Sequence, residues 1–253
     1  MHDPSLNAKG TIRRRRLLDV CVDDVTMEHA LAAMARFIAE GGPHHVITLD
    51  ASMCVAARRD LDLRRIVLQA DLVTPDSAGI LWAARRAGAP LPERVSGVEI
   101  VERLAEVSAV KGISLYLLGS APGVAEEAAV RMRERCRGCR IVGTRHGYFG
   151  PSDEGALIED IRAAAPDVLC VALGIPKQER WIAAHREALG VPVMIGVGGT
   201  LDVLSGRVRR APLWMQRRGL EWVYRLMSNP RKIRKVLSLP RFMMMVLARA
   251  RSE

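Results

Sequence analysis

Apolar residues in this chain fall into two alternating patterns. Short, mostly apolar runs rich in Val, Ile and Leu occur at 46–49, 72–74, 114–118, 140–143, 168–173 and 193–197. Runs of this length and composition read as strands covered on both faces. Between them, apolar positions recur every three to four residues over 27–40, 53–69, 78–88, 98–111, 124–137, 154–164 and 178–189. That spacing predicts amphipathic helices. Pro122, Pro166 and Pro192 stand at the element ends, where a residue without an N–H does least damage. Residues 17–25 read as a short leading strand or hairpin arm. Strand–helix alternation of this kind predicts an α/β fold: a mainly parallel, Rossmann-like sheet with helices on both faces.

Charge changes the picture only at the end of the chain. Residues 207–253 carry thirteen Arg and Lys against two Asp and Glu, whereas the other 206 residues carry 25 basic and 26 acidic groups. The formal +10 is thus the property of a tail on a neutral body. Within the tail, Leu213, Trp214, Leu220, Trp222, Val223, Leu226 and Met227 keep helical spacing, followed by Ile233, Val236, Leu237 and the run 242–247. A basic amphipathic segment suits an anionic lipid surface. Its longest apolar run, 242–248, is far short of the ~20 residues that a spanning helix needs. The expected organisation is a mobile basic arm at 1–16, an α/β catalytic core at 17–204 and a membrane-associating helical appendage at 205–253. The arm holds four arginines at 13–16 with no apolar stretch behind them, unlike a secretory signal.

The five cysteines are scattered and odd in number, which predicts a reducing, cytosolic setting. Cys136 and Cys139 have CxxC spacing, but no second pair or nearby His completes a metal set, so they read as two small residues at a helix end.

In a parallel sheet, ligands bind where the strands end. The loops expected there are polar or glycine-rich. They hold Thr48 and Asp50; Asp76 and Ser77; Gly119 and Ser120; Gly174, Pro176, Lys177, Gln178 and Glu179; and Gly198, Gly199, Thr200 and Asp202. Glycines beside a helix start let backbone N–H groups approach a phosphate. Asp76, just past an apolar strand, suits a general base, with Asp50 competing for that role; an N-cap for the next helix explains Asp76 equally well. Gln178 can both donate to and accept from a sugar hydroxyl, and Lys177 offers a mobile charge for phosphate. Arg94, before Ser96 and Gly97, can clamp a diphosphate. His146 reads as structural more readily than as an acid or base. Arg207, Arg209 and Arg210 can reach back to phosphate or lie against headgroups. No GxGxxG or Walker A pattern is present, which counts against a dinucleotide or ATP enzyme. A nucleic-acid-binding α/β protein using the basic tail is the alternative reading. The 4% aromatic content, the neutral body and the lack of a recognisable binding motif count against it.

Several blocks stand in order along the chain: Thr74-Pro-Asp76 with Gly79, Arg94-Val-Ser-Gly97, Tyr116-Leu-Leu-Gly119 and Gly147-Tyr148-Phe149. They continue with Leu173-Gly-Ile-Pro-Lys-Gln-Glu179, Gly196-Val-Gly-Gly, Ser205-Gly-Arg-Val-Arg-Arg-Ala-Pro212, Trp214-Met-Gln216, Gly219-Leu-Glu-Trp222 and Tyr224-Arg225-Leu226. In these blocks the chain resembles the WecG/TagA/CpsF group of bacterial glycosyltransferases (glycosyltransferase family 26), over roughly residues 17–242. The resemblance implies inverting transfer of a sugar from a UDP-sugar to a polyprenyl-diphosphate-linked GlcNAc-type acceptor, in cell-surface polysaccharide or teichoic acid synthesis. It implies Asp76 as the base, with Thr48 and Gln178 lining a pocket; Tyr148 and the glycine loops are expected to bind substrate as well. It implies, too, a C-terminal appendage that binds the membrane and completes the site, so that Arg207, Arg210, Arg217, Arg218 and Arg225 meet lipid or the acceptor diphosphate. The expected location is cytoplasmic, peripheral on the inner face of the cell membrane, with a homo-oligomer possible. No DxD-like carboxylate pair accompanies the glycines, so transfer without a metal or other cofactor is expected. The chain departs from the group at Asp50, where Asn is usual, and at Ser77, where Gly is common. The extra carboxylate leaves the donor sugar open among ManNAc, ManNAcA, glucose and others.

Overall fold

The computed structural model of the chain describes residues 12–212, 215, 223–224 and 233–249. Its centre is a six-stranded sheet in which every neighbouring pair is parallel. The strands are β3 (His44–Leu49), β4 (Leu72–Pro75), β5 (Ser114–Gly119), β6 (Arg140–Arg145), β7 (Val168–Ala172) and β8 (Val193–Gly196), in the order β4-β3-β8-β7-β5-β6. All six lie where the apolar runs predict them, within a residue or two at each end.

Alternate strand residues feed opposite faces, as the pleat requires. Val46, Leu72, Leu115, Leu117, Cys170 and Ile195 point to one side, under α1 (Met27–Glu40), α5 (Gly97–Lys111), α6 (Val124–Arg135) and α9 (Thr200–Leu204). On the other side, Ile47, Leu49 and Val73 pack with α2 (Ala51–Ala57), α3 (Leu61–Gln69) and α4 (Ala78–Arg86). Further along that face, Tyr116, Leu118, Leu169, Val171 and Met194 pack with α7 (Glu154–Ala164) and α8 (Lys177–Leu189). Both faces are therefore dry, which is why the strands read as unbroken apolar runs.

Two boundaries differ from expectation. The helix expected over 53–69 is broken in two because Asp60 caps α3, accepting from Leu63 N at 3.0 Å. A local cap here outweighs continuous periodicity. The basic arm ends sooner than expected: Arg14–Leu17 forms β1, paired antiparallel with β2 (Val20–Asp23). Arg14 grips Asp23 with two bonds of 2.8 Å, and Arg15 meets Asp24 at 2.5 Å. Asp23 also accepts from Val73 N at 2.7 Å, tying the hairpin to β4. Both aspartates are buried, so the arginines are fixed by charge pairing that hydrophobic patterning does not display.

All the cysteines are free, and burial pushes the Cys170 thiol up to about 12. Cys136 ends α6 and Cys139 is buried in the turn behind it, as expected of two small residues at a helix end. Of the tail, α10 (Ile233–Arg249) is described, and it lies on the body. Phe242 is fully buried and Val246 nearly so, against the apolar faces of α2 and α4. Met243, Met244 and Leu247 face outward. Leu213, Trp214, Leu220, Trp222, Leu226, Met227, Arg217, Arg218 and Arg225 lie outside the described residues. No helix among the described residues is long and apolar enough to cross a membrane.

Phe242 is the anchor of α10. Phe242→Ala is expected to weaken the docking of this helix by about 3–5 kcal/mol. In hydrogen exchange, the α10 amides should lose protection while those of β7 and β8 keep theirs.

Candidate active site at the strand ends

In the register of β3 and β4, Thr48 lies opposite Thr74 and Leu49 opposite Pro75. Asp50 and Asp76 each follow by one residue, so they leave neighbouring strands side by side, with strands about 4.8 Å apart. Asp76 is half-buried, and its N–H donates to Leu49 O at 2.9 Å. The helix cap that competed as an explanation for Asp76 belongs to its neighbour. Ser77 caps α4, its Oγ accepting from Ile80 N at 3.4 Å. Asp50 is itself a cap: it accepts from Met53 N at 2.8 Å and from Ser52 Oγ at 2.6 Å, which fixes its carboxylate at the start of α2. The two carboxylates are adjacent in the fold but differ in their duties.

The segment after α4 runs across these strand ends. Val95 N donates to Pro75 O at 2.9 Å, which sets Arg94 and Ser96 beside β4. Ser96 caps α5. A Cβ at Gly97 would touch Thr200 Oγ1 at 3.4 Å and Thr48 Cγ2 at 3.5 Å, so the start of α5, the end of β3 and α9 converge at that glycine. The Thr48 hydroxyl donates to Gly196 O at 2.8 Å and is buried.

Gln178, expected to line the pocket, is a buried tie between loops. Its Oε1 accepts from Gly174 N at 3.1 Å and from Gly198 N at 2.9 Å, and its Nε2 donates to Glu179 Oε1 at 2.7 Å. Both Gln178 and Glu179 are buried. Gly196 makes room for them: a Cβ there would come within 2.7 Å of Gln178 Nε2. The first turn of α8, thought solvated or ligand-facing, therefore has an internal side that locks the β7 and β8 loops together. Lys177 is exposed, with its ammonium 5.0 Å from the centre of the Phe149 ring. Pro176 precedes it, with a cis peptide bond to Ile175.

The chain leaves β5 toward β6 on one side and leaves β7 toward β8 on the other. A crevice opens where neighbouring strands part in this way. Gly119 (φ +131°) and Ser120 (φ +59°) turn there, with Ser120 N donating to Ala172 O at 3.0 Å. Only glycine fits at 119, since a Cβ would lie 2.4 Å from that carbonyl oxygen. Gly147 closes on the same turn, donating to Ser120 O at 2.8 Å. Tyr148 beyond it is 72% exposed. The His146 ring accepts from Tyr148 N at 3.3 Å, a local turn contact that fits its structural reading. Gly174 and Gly198 have positive φ, and Gly199 precedes α9, whose Asp202 carbonyl accepts from Val208 N at 2.9 Å.

The arginines thought to reach phosphate are paired with carboxylates. Arg207 grips Glu127 on α6 through bonds of 2.8 and 2.6 Å. Arg94 and Arg210 both donate to Glu99, at 2.9 and 2.5 Å. Arg209 is exposed. Glu99 was not singled out from the sequence, although Ser96 three residues before it is a capping-box signal. Among the described residues, no group of three or more His, Cys, Asp or Glu is placed to hold a metal ion.

The parallel α/β sheet gathers a half-buried aspartate, glycine turns and carboxylate-paired arginines at its strand ends, an arrangement compatible with an enzyme site. The chain belongs to the glycosyl transferase WecG/TagA/CpsF family, whose profile matches residues 15–253. It is similar to N-acetylglucosaminyldiphosphoundecaprenol N-acetyl-beta-D-mannosaminyltransferase of Bacillus spizizenii, with 32% identity over 82% of this chain and 80% of the relative. The protein of that name in Staphylococcus aureus (strain MW2) is 29% identical over 90% of this chain and 89% of its own. The chain is thus a glycosyltransferase, as its motifs implied.

Removing the Gln178 amide strands two half-buried N–H groups, those of Gly174 and Gly198. Gln178→Leu is expected to lower the unfolding free energy by about 1–3 kcal/mol per stranded group, measured by denaturant unfolding. Lost activity at unchanged stability would instead put this amide on the substrate.

Proposed function

We propose that this glycosyltransferase moves an N-acetylmannosamine-type sugar from a UDP-sugar to a polyprenyl-diphosphate-linked GlcNAc acceptor, with inversion at the transferred carbon. The observation that carries this reading is Asp76: a half-buried carboxylate at a strand end, its capping duty taken by Ser77. It is supported by relatives whose name states both the transferred sugar and the lipid-linked acceptor.

The chemistry asks for two things at once. The acceptor hydroxyl oxygen forms a bond to the anomeric carbon while its proton passes to the Asp76 carboxylate. On the opposite face, the bond from that carbon to the UDP oxygen breaks, and the electron pair leaves with the diphosphate. A base must lie within hydrogen-bond reach of the proton it takes. The leaving charge must be met by fixed donors and cations. The glycine turns at Gly119–Gly123 and 198–199 supply backbone N–H groups, and Arg94 supplies a cation beside β4. Transfer without a metal ion is part of this reading, because no DxD-like carboxylate pair accompanies the glycines in the sequence.

The acceptor presents its anionic head at a bilayer surface. The basic tail and the outward Met243, Met244 and Leu247 of α10 support work at that surface, on the cytoplasmic side where nucleotide sugars are made. Asp50 stands next to Asp76, where it bears on the choice of donor sugar.

The test is UDP release by the purified chain with a short-chain lipid-diphosphate GlcNAc acceptor, over a panel of UDP-sugars. Acceptor-dependent release with UDP-ManNAc is expected; release with no donor would sink the reading. Asp76→Asn should reduce kcat by about 10²–10⁴-fold, the usual share of a general base, with UDP binding retained. A near wild-type rate would remove Asp76 from that role. EDTA should leave the rate unchanged, and a loss restored by Mg²⁺ or Mn²⁺ would overturn metal-free transfer.

A further inference from the structure

One carboxylate joins the body to the root of the tail. Glu99, in the first turn of α5, accepts at Oε1 from Arg94 Nη2 (2.9 Å) and Arg210 Nη2 (2.5 Å), and at Oε2 from Ser96 Oγ (2.8 Å). Arg94 belongs to the segment that crosses the end of β4. Arg210 comes from the tail root, 111 residues on from Glu99. Burial opposes ionisation of Glu99, but the Ser96 hydroxyl and the two guanidiniums outweigh it, holding the carboxyl below its usual range. Glu102 lies 3.9 Å from Arg210, but it is more exposed and is shared with Arg135, so Glu99 is the stronger tether.

The pairing is more than a surface ion pair. Without the carboxylate, two like charges would face each other at this spot and Arg210 would be driven off. With it, two guanidiniums meet on one oxygen, and Arg94 adjoins Val95, whose N–H donates to the carbonyl of Pro75, the residue before Asp76. The buried Arg210 Nε has no hydrogen-bond partner among the described residues, so this guanidinium keeps a donor beyond its Nη2 bond to Glu99. Guanidiniums suit diphosphate oxygens because their donors form a planar fork.

We propose that Glu99 is a positioning residue of the transfer reaction: it draws Arg94 of the body and Arg210 of the tail root together at the strand ends, so that a diphosphate reaching Asp76 meets both. This rests on the function proposed above. The diphosphate is that of the nucleotide or that of the lipid, and the two are separated by experiment.

The full-length chain is compared with Glu99→Gln, Glu99→Asp, Arg210→Gln and the double variant Glu99→Gln/Arg210→Gln. Binding of UDP and of a short-chain prenyl-diphosphate GlcNAc is measured by calorimetry, with the thermal midpoint recorded for each. Misplacing a substrate-binding group by 1 Å costs up to about 100-fold. Glu99→Gln is accordingly expected to weaken one of the two ligands about tenfold or more, with the midpoint held within a few degrees. Glu99→Asp should recover most of that loss, and the double variant should bind no worse than Arg210→Gln alone. A loss confined to UDP assigns the arginines to the donor; a loss confined to the prenyl diphosphate assigns them to the acceptor. Should Glu99→Gln unfold, Arg210→Gln carries the same comparison from the other side of the pair. Binding of both ligands within twofold of wild type overturns the proposal, and so do single losses that multiply in the double variant. Because binding is the readout, a wild-type chain that binds a diphosphate but releases no UDP sinks the proposed function and leaves the Glu99 result standing. A chain that binds neither diphosphate overturns both.

Discussion

Everything at the strand ends hangs on a buried amide. Gln178 accepts from Gly174 N after β7 and from Gly198 N after β8, so two adjacent loops share one acceptor. Loops at the edge of a parallel sheet have no ladder partners beyond the last strand residue, and their backbone donors must be met in some other way. Here one side chain from the first turn of α8 meets two of them. Gly196 must lack a side chain for that amide to fit, and Thr48 donates to the Gly196 carbonyl. Gln178, Gly196 and Thr48 thus form a chain of contacts from β7 across β8 to β3. Asp50 and Asp76 follow at the next two strand ends.

The sheet was plain in the sequence because burial on both faces leaves little ambiguity. Val168, Leu169, Cys170 and Val171 have no solvent side to break the run with polar residues. Helices were equally plain wherever periodicity agreed with capping, as over Met27–Glu40. Reading failed where a single polar contact decided the outcome. Asp60 stopped one helix and started another, and Asp23 turned a basic arm into a strand. In both cases the deciding group was a carboxylate: Asp60 caps α3 through Leu63 N, and Asp23 holds Arg14 and the Val73 N–H.

The site shows the same division. Which residues gather at the strand ends could be read from the loop positions. Which way their side chains face could not. Asp76 and Ser77 stood as one ambiguous pair until the cap was found on Ser77. Gln178 carried the right chemistry for a hydroxyl but spends it on backbone. The arginines were read as phosphate ligands; the partners of Arg207 and Arg210, Glu127 and Glu99, lie 80 and 111 residues away in sequence, whereas Glu99 is only five residues from Arg94. Such residues are best understood as networks: Arg94, Arg210 and Ser96 acquire a common geometry only through Glu99.

The docking of α10 bears on how such enzymes can be recombined. Phe242 and Val246 rest on α2 and α4, the helices that begin at Asp50 and Ser77. The end of the chain is therefore part of the same packed block as the two strand-end carboxylates. A tail transplanted from a relative at a cut near residue 205 would arrive with knobs shaped for another pair of helices. An exchangeable unit has to include α2, α4 and α10 together, although some 150 residues separate α4 from α10 along the chain.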